Sequence, residues 1–127
     1  MTVGLRIEVF VDDVDVFVDF YTRVLGFSLF EDRRGHESPY VSVLRDGVRV
    51  GAVLAWGAVD KRDRNVPTGA ELVLEVDDLD GEYARVAASG WTTEGPVTPQ
   101  SWGLSDFRLL DPDGYYWRIT TKQARSE

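Results

Sequence analysis

The first half of the chain alternates apolar and polar residues and then changes to helical spacing. Residues 5–11 are apolar at every second position, which predicts a β-strand with one buried face. From Val14 to Leu25 the apolar residues recur three and four positions apart, which predicts a helix capped by Asp13 and ended at Gly26. Strands are predicted at residues 27–31, 40–44 and 48–56, the last two joined by an Asp46-Gly47 turn.

The same order of elements recurs in the second half. A strand at 71–76 precedes a helix capped by Asp78 and ended by Gly90, and strands follow at 91–93, 106–110 and 115–121, around a Pro- and Gly-rich loop at 94–105. Two Val-Asp-Asp motifs, which begin at Val11 and Val76, lie 65 residues apart. The glycines of the Asp46-Gly47 and Asp113-Gly114 turns lie 67 residues apart. Two matches in the same order predict a duplicated βαβββ module.

The predicted fold class is therefore α+β. A length of 127 residues predicts a single domain. Module one covers about residues 3–56, a polar linker about 57–69, and module two about 70–121. Because each helix covers one face of its sheet, we expect the eight strands to form a curled mixed sheet whose other faces line a shared cleft.

Composition excludes several classes of protein. No cysteine is present, so disulfides, thiol nucleophiles and zinc ribbons are ruled out, and a cytoplasmic location is expected. No apolar run approaches the roughly 20 residues that span a bilayer. The net charge of −8 disfavours nucleic acid as a partner and favours a cationic ligand.

Three stretches resemble the vicinal oxygen chelate superfamily, which contains glyoxalases, bleomycin resistance proteins and extradiol dioxygenases. They are Val-Asp-Asp-Val-Asp at 11–15 running into Phe-Tyr-Thr-Arg-Val-Leu-Gly-Phe at 20–27, Glu-Val-Asp-Asp-Leu-Asp at 75–80, and residues 102–115, which include Asp-Pro-Asp-Gly. The resemblance covers nearly the whole chain. It implies the two-module fold and, because the cleft is often completed across a dimer, a homodimer.

The resemblance also implies four positions that hold a divalent metal in enzymes of the superfamily. Counting from the helix caps and the turns places Arg6, Gly51, Glu71 and Arg118 there. Only Glu71 is able to ligate a hard cation, since guanidiniums stay protonated. We therefore expect no metal and no cofactor, with Glu71 paired to Arg6 or to Arg118 instead.

Metal-free members of the superfamily include proteins that sequester an antibiotic between aromatic side chains. The resemblance therefore implies a small-molecule binding protein, with an aromatic or cationic ligand in the cleft and no catalytic residue. The predicted polar anchors are Arg6, Glu8, Glu71, Glu75 and Arg118, and the predicted apolar walls are Phe10, Trp56, Trp102 and Tyr116.

Alternatives remain open. In a second hypothesis the chain is a lyase, isomerase or dioxygenase relative, either with Glu71 or Glu75 as general base or with an atypical metal site formed by Glu8, Glu71 and Glu75. A regulatory or accessory module is a third hypothesis. Trp102 either lines the cleft or packs its own loop, Trp56 lines the cleft or an interface, and His36, the single histidine, is expected on a surface loop.

Overall fold

The chain consists of two compact units with the same order of elements, Met1–Asp60 and Lys61–Glu127. The computed structural model describes residues 2–57, 67 and 69–122. Each unit contains one helix and a four-stranded mixed sheet, which confirms the α+β class and the repeated βαβββ module. The predicted linker at 57–69 lies mostly outside the described residues.

The first unit forms a sheet with strand order β1-β4-β3-β2, in which β1 runs parallel to β4 and the other pairs are antiparallel. Its elements are β1 Ile7–Val11, α1 Val14–Asp19, a π-helical turn Phe20–Val24, β2 Ser28–Arg33, β3 Tyr40–Arg45 and β4 Val48–Leu54.

Helix α1 begins at Asp13 as predicted. The Asp13 carboxylate accepts hydrogen bonds from the backbone N–H groups of Asp15 and Val16, at 2.8 and 3.3 Å. The α-helical spacing then widens into the π-helical turn, and Gly26 follows in the left-handed region at φ 76°. The helical segment buries Phe17, Phe20, Tyr21 and Val24, and α1 packs against β3 and β4.

The second unit repeats this arrangement with strand order β5-β8-β7-β6 and a parallel β5–β8 pair. Its elements are β5 Leu72–Val76, α2 Leu79–Ser89, β6 Thr98–Pro99, β7 Ser105–Leu110 and β8 Tyr116–Thr121. Its buried core contains Leu74, Val86, Phe107, Leu109, Trp117 and Ile119. In the turn before β8, the buried Asp111 carboxylate accepts from the N–H groups of Asp113 and Tyr115, both at 2.9 Å.

The predicted strand at 91–93 is wrong, and the fourth strand of this unit lies inside the segment predicted as a loop. Antiparallel contact with β7 starts only at Glu94, whose N–H donates to Arg108 at 2.8 Å. Before that point the Trp91 indole N–H, rather than a backbone ladder, holds the chain to Leu110. Gly95 at φ 86° and Pro96 then delay the short β6 to Thr98.

The other seven predicted strands exist, but each differs from the structure by one or two residues at one or both ends. Strand β2 runs to Arg33 rather than to residue 31 and contains a bulge, because the register shifts between Leu29 and Glu31. Strand β4 ends at Leu54 and β8 starts at Tyr116, one or two residues inside the predicted limits. No helix in the described part of the chain is long and apolar enough to cross a membrane.

Candidate functional site

In each unit the helix covers one face of the sheet, and we call the opposite face the helix-free face. In the second unit this face follows from the strand register, which places Val73 beside Arg118 and Arg118 beside Arg108. It carries a depression of about 400 Å³, here called the Trp102 depression. The depression is lined by Val73, Glu75, Trp102, Leu104, Arg118, Thr120 and Thr121.

Arg118 lines the Trp102 depression and contacts both Glu71 and Trp102. Its Nε lies 2.8 Å from Oε1 of Glu71, and its Cζ lies 5.7 Å from the centroid of the Trp102 ring. The buried Nε makes no hydrogen bond, so the contact with Glu71 is an ion pair with a poorly aligned N–H group. The Trp102 side chain is 52% exposed, which leaves much of its ring available to a ligand.

Glu75 gives the Trp102 depression its net charge. The Glu71 carboxylate is neutralised by Arg118. Within the described residues the exposed Glu75 carboxylate makes no ion pair, although it lines the same depression. Glu71, Arg118 and Glu75 together carry one net negative charge at the Trp102 depression, which favours a cationic ligand.

A second polar network lies on the same face beside Arg118. The Tyr116 hydroxyl donates to Oε2 of Glu94 at 2.7 Å, and burial, followed by this hydrogen bond, raises the pKa of Tyr116. Hydrogen bonding with Tyr116, more than the neighbouring Asp106 carboxylate, raises the pKa of Arg108. The Asp106 carboxylate is buried and accepts from the Gln100 amide at 3.0 Å.

The sequence predictions omitted four members of this network: Glu94, Gln100, Asp106 and Arg108. The alternation of residues 106–110 contained a usable signal, because Asp106 and Arg108 occupy the polar positions of β7 and so share the face of Arg118.

The helix-free face of the first unit carries a different cluster. Nε of Arg6 lies 2.7 Å from Oε1 of Glu8, and the Tyr40 hydroxyl donates to the same oxygen at 3.1 Å. Burial, assisted by the hydrogen bond to Glu8, raises the pKa of Tyr40. The side chains of Glu8 and Tyr40 lie directly over Gly51. A Cβ at that residue would be 2.1 Å from Oε2 of Glu8 and 2.3 Å from the Tyr40 hydroxyl.

Within each unit the structure brings some of the nine predicted ligand-binding residues together, and their binding role stays a prediction. Of the two pairings expected for Glu71, the structure has the one with Arg118, while Arg6 pairs with Glu8. Phe10 and Trp56 contact each other edge to face, with ring centroids 6.3 Å apart. Trp56 is 96% exposed, and His36 lies on an exposed turn as expected.

Comparison with protein families agrees with this architecture. The model of the Glyoxalase/Bleomycin resistance protein/Dioxygenase superfamily matches residues 5–119. The chain belongs to this superfamily. The match includes both modules from β1 into β8 and confirms the resemblance drawn from the sequence motifs.

Individual relatives within the superfamily are distant. A probable lactoylglutathione lyase from Vibrio cholerae is 27% identical, over 91% of this chain and 88% of the relative. The crystal structure of TioX from Micromonospora sp. ML1 superposes with a TM-score of 0.77 at 21% identity, over 96% of this chain and 100% of that chain. A bleomycin resistance determinant encoded on transposon Tn5 superposes with a TM-score of 0.74 at 24% identity, over 97% and 100%. At these identities the two structural matches show the fold.

The residues at the four metal positions implied by the superfamily do not fit a divalent ion. Two are guanidiniums, one is Gly51, and the Glu71 carboxylate already contacts Arg118. Around Gly51 the room for a ligating side chain is filled by Glu8 and Tyr40. Among residues 2–57, 67 and 69–122, no group of three or more His, Cys, Asp or Glu side chains is arranged to hold a metal ion.

Proposed function

We propose that this protein is a metal-independent small-molecule binding protein that sequesters a flat aromatic or cationic ligand, such as an antibiotic, in the Trp102 depression. One observation carries the proposal. The half-exposed Trp102 ring lies over an Arg118 already neutralised by Glu71, beside the Glu75 carboxylate, which makes no ion pair with any other described residue. The bleomycin resistance determinant is a structural neighbour that supports this class of function.

The chemistry of the Trp102 depression supports a flat cation. A ring stacked on Trp102 gains roughly 0.5–1.5 kcal/mol beyond the area it buries. Val73, which is 41% exposed, adds apolar surface beneath such a ring. The Glu75 carboxylate attracts a positive group on the ligand, and the net charge of −8 assists its approach.

Titration calorimetry with proflavine, a flat aromatic cation, tests the proposed binding mode. We expect Trp102→Ala to weaken binding roughly two- to twelvefold, the equivalent of the lost stack. Glu75→Gln should weaken proflavine binding and reduce its dependence on salt. Val16→Ala, which removes an exposed apolar side chain from helix α1 of the first unit, is the control and should bind proflavine as the wild type does.

Two results would overturn the proposal. Equal proflavine affinity in the wild type and Trp102→Ala would show that Trp102 is not the stacking surface. A stoichiometric divalent ion found by elemental analysis of the purified protein would refute metal independence. A thermal-shift panel of antibiotics then identifies the natural ligand class, since saturation at a hundredfold excess over Kd stabilises the protein by about 2.7 kcal/mol.

An enzymatic function is the second candidate, supported by the probable lactoylglutathione lyase relative and by the exposed Glu75 carboxylate. In this hypothesis Glu75, or Glu71 after release from Arg118, removes a proton from a bound substrate. A lactoylglutathione lyase assay with and without added divalent metal tests it. We expect no turnover, whereas activity that Glu75→Gln abolishes and Glu37→Gln leaves intact would favour the enzyme.

We also propose that the protein is a homodimer, as the resemblance implies. Sedimentation equilibrium at micromolar concentration tests this assembly. A mass near twice 14.3 kDa is expected, and a concentration-independent mass of 14.3 kDa would contradict it.

A further inference from the structure

The first unit has a depression of its own, and its chemistry differs from that of the Trp102 depression. It measures about 350 Å³ and contains two guanidiniums, those of Arg6 and Arg49, next to the apolar side chains of Leu5, Phe30 and Leu44. We call it the Arg49 depression. The strand register explains its composition, because β1 runs parallel to β4 with Ile7 opposite Val50, so that Arg6 and Arg49 occupy one row.

The Arg49 depression is locally cationic in an acidic protein. Within the described residues the Arg49 guanidinium makes no ion pair or hydrogen bond, and its Cζ lies 5.9 Å from the centroid of the Phe30 ring. Arg6 contacts Glu8 through Nε, which leaves its two terminal amino groups for another acceptor. Of the two guanidiniums in the Arg49 depression, only that of Arg6 therefore has a carboxylate partner among the described residues, in a chain whose net charge is −8.

The placement of Phe30 is an independent observation on the same depression. Phe30 is the extra residue at the bulge between Leu29 and Glu31, so it has no partner in the ladder with β3. A bulge commonly redirects a side chain beside a binding site. Here it leaves the Phe30 ring 52% exposed, next to Arg49. An exposed ring beside a cation without a carboxylate partner is able to contact a ligand that is both aromatic and anionic.

We propose that the Arg49 depression binds a planar aromatic carboxylate. The carboxylate accepts paired hydrogen bonds from the Arg49 guanidinium, whose fork matches its two oxygens, and the terminal amino groups of Arg6 supply a second contact. The aromatic body of the ligand packs on Phe30 and Leu44. This inference goes beyond the function proposed above, because it concerns another unit and a ligand of opposite charge.

Calorimetric titration of the full chain with 2-naphthoate tests the inference. Arg49→Gln should weaken 2-naphthoate binding by about tenfold or more, as expected when a charge-assisted hydrogen-bond pair is lost. Arg33→Gln is the matched control, because it makes the same charge change on the same sheet, where Arg33 pairs with Tyr40 at the other end of β2. Circular dichroism of each variant confirms that it is folded.

Two further arms define the ligand class and separate this site from the Trp102 depression. Phe30→Ala should weaken binding of 2-naphthoate, and inorganic phosphate should bind more weakly than 2-naphthoate. Trp102→Ala should leave 2-naphthoate binding unchanged, so a failure of the function proposed above does not affect this result. Absence of 2-naphthoate binding at millimolar concentration, equal affinity in Arg49→Gln, or phosphate binding as tight as that of 2-naphthoate would overturn the inference.

Discussion

Replacing Gly51 by alanine tests how the first unit fills the space of an implied metal ligand. The φ angle of Gly51 is outside the left-handed region, so the backbone accepts alanine without strain. The new Cβ would be 2.1 Å from Oε2 of Glu8 and 2.3 Å from the Tyr40 hydroxyl. Both atoms are ends of flexible side chains, so we expect them to move away rather than the sheet to open.

The cost of Gly51→Ala follows from the contacts that these movements break. The hydrogen bond from Tyr40 to the Glu8 carboxylate is charge-assisted, but the Glu8 side chain is about one-third exposed. Breaking this bond should therefore lower the free energy of unfolding by about 1–2 kcal/mol. The Arg6–Glu8 ion pair, half exposed at Arg6, adds at most about 1 kcal/mol. Removing a glycine from the unfolded chain returns about 0.4–1 kcal/mol. We expect net destabilisation of about 1 kcal/mol.

Urea unfolding of Gly51→Ala in two backgrounds isolates this explanation. In the wild type the midpoint should fall without a change of slope. In Glu8→Ala/Tyr40→Phe the obstructing oxygens are gone, so Gly51→Ala should stabilise the protein by about 0.4–1 kcal/mol. The two backgrounds should therefore differ by roughly 1.5–2 kcal/mol, which is well above the non-additivity of independent sites.

Gly35→Ala is the control for the entropy of the unfolded chain. No atom lies within 4 Å of the position that its new Cβ would take, and its φ angle is also ordinary, so the substitution should have the same small effect in both backgrounds. If Gly51→Ala shifts stability equally with and without Glu8 and Tyr40, those two side chains do not fill the space over Gly51 and our reasoning fails.

Three further predictions concern charge and capping. The hydrogen bond from the Arg34 side chain lowers the pKa of Asp32 from 3.8 to about 2. The stability that the Asp32 carboxylate contributes is therefore present above its unfolded pKa of about 4 and is lost as the pH falls towards 2. Carboxyl NMR titration measures the pKa of Asp32, and Arg34→Gln should raise it. The pKa values of Tyr40 and Tyr116 are raised, so the stability that these tyrosines contribute is intact below pH 10 and declines as the pH rises through their folded-state pKa values. Tyrosinate absorbance during a pH titration, compared between the wild type and each Tyr→Phe variant, measures these pKa values. Asp13→Ala should cost about 1 kcal/mol in urea unfolding, and Asp13→Asn much less.

Local signals in the sequence predicted much of the fold. The helix caps Asp13 and Asp78 and the glycines after the helices, Gly26 and Gly90, are where the spacing placed them. These features depend on a few neighbouring residues, so periodicity and turn chemistry suffice to find them. The duplication was visible for the same reason, since each module repeats its own local signals.

Other features depend on contacts that no short window of sequence contains. The strand that pairs with β7 is one example. Thr98–Pro99 pair with β7, whereas Trp91 contacts the end of β7 through its indole N–H, which donates to Leu110, 19 residues away. The partner of Glu71 depends likewise on strand register. Because Leu72 pairs with Trp117, Arg118 lies on the adjoining strand near Glu71, and the sequence alone left Arg6 as an equal alternative.

In both modules an arginine neutralises a nearby carboxylate, but the two modules use residues at different positions to do so. In the second unit the carboxylate at the first metal position, Glu71, is neutralised by Arg118 at the second. In the first unit the order is changed: Arg6 takes the first position, and the carboxylate of Glu8 lies over the glycine at the second. In each unit an arginine therefore neutralises a carboxylate of the same unit. The two guanidiniums do more than replace a metal ligand, because each also forms an ion pair in the folded unit. For this reason one substitution such as Arg118→Glu would not create a metal site, because it removes the guanidinium that neutralises Glu71 and leaves these two positions with two carboxylates, fewer than the three protein ligands of a typical catalytic metal site.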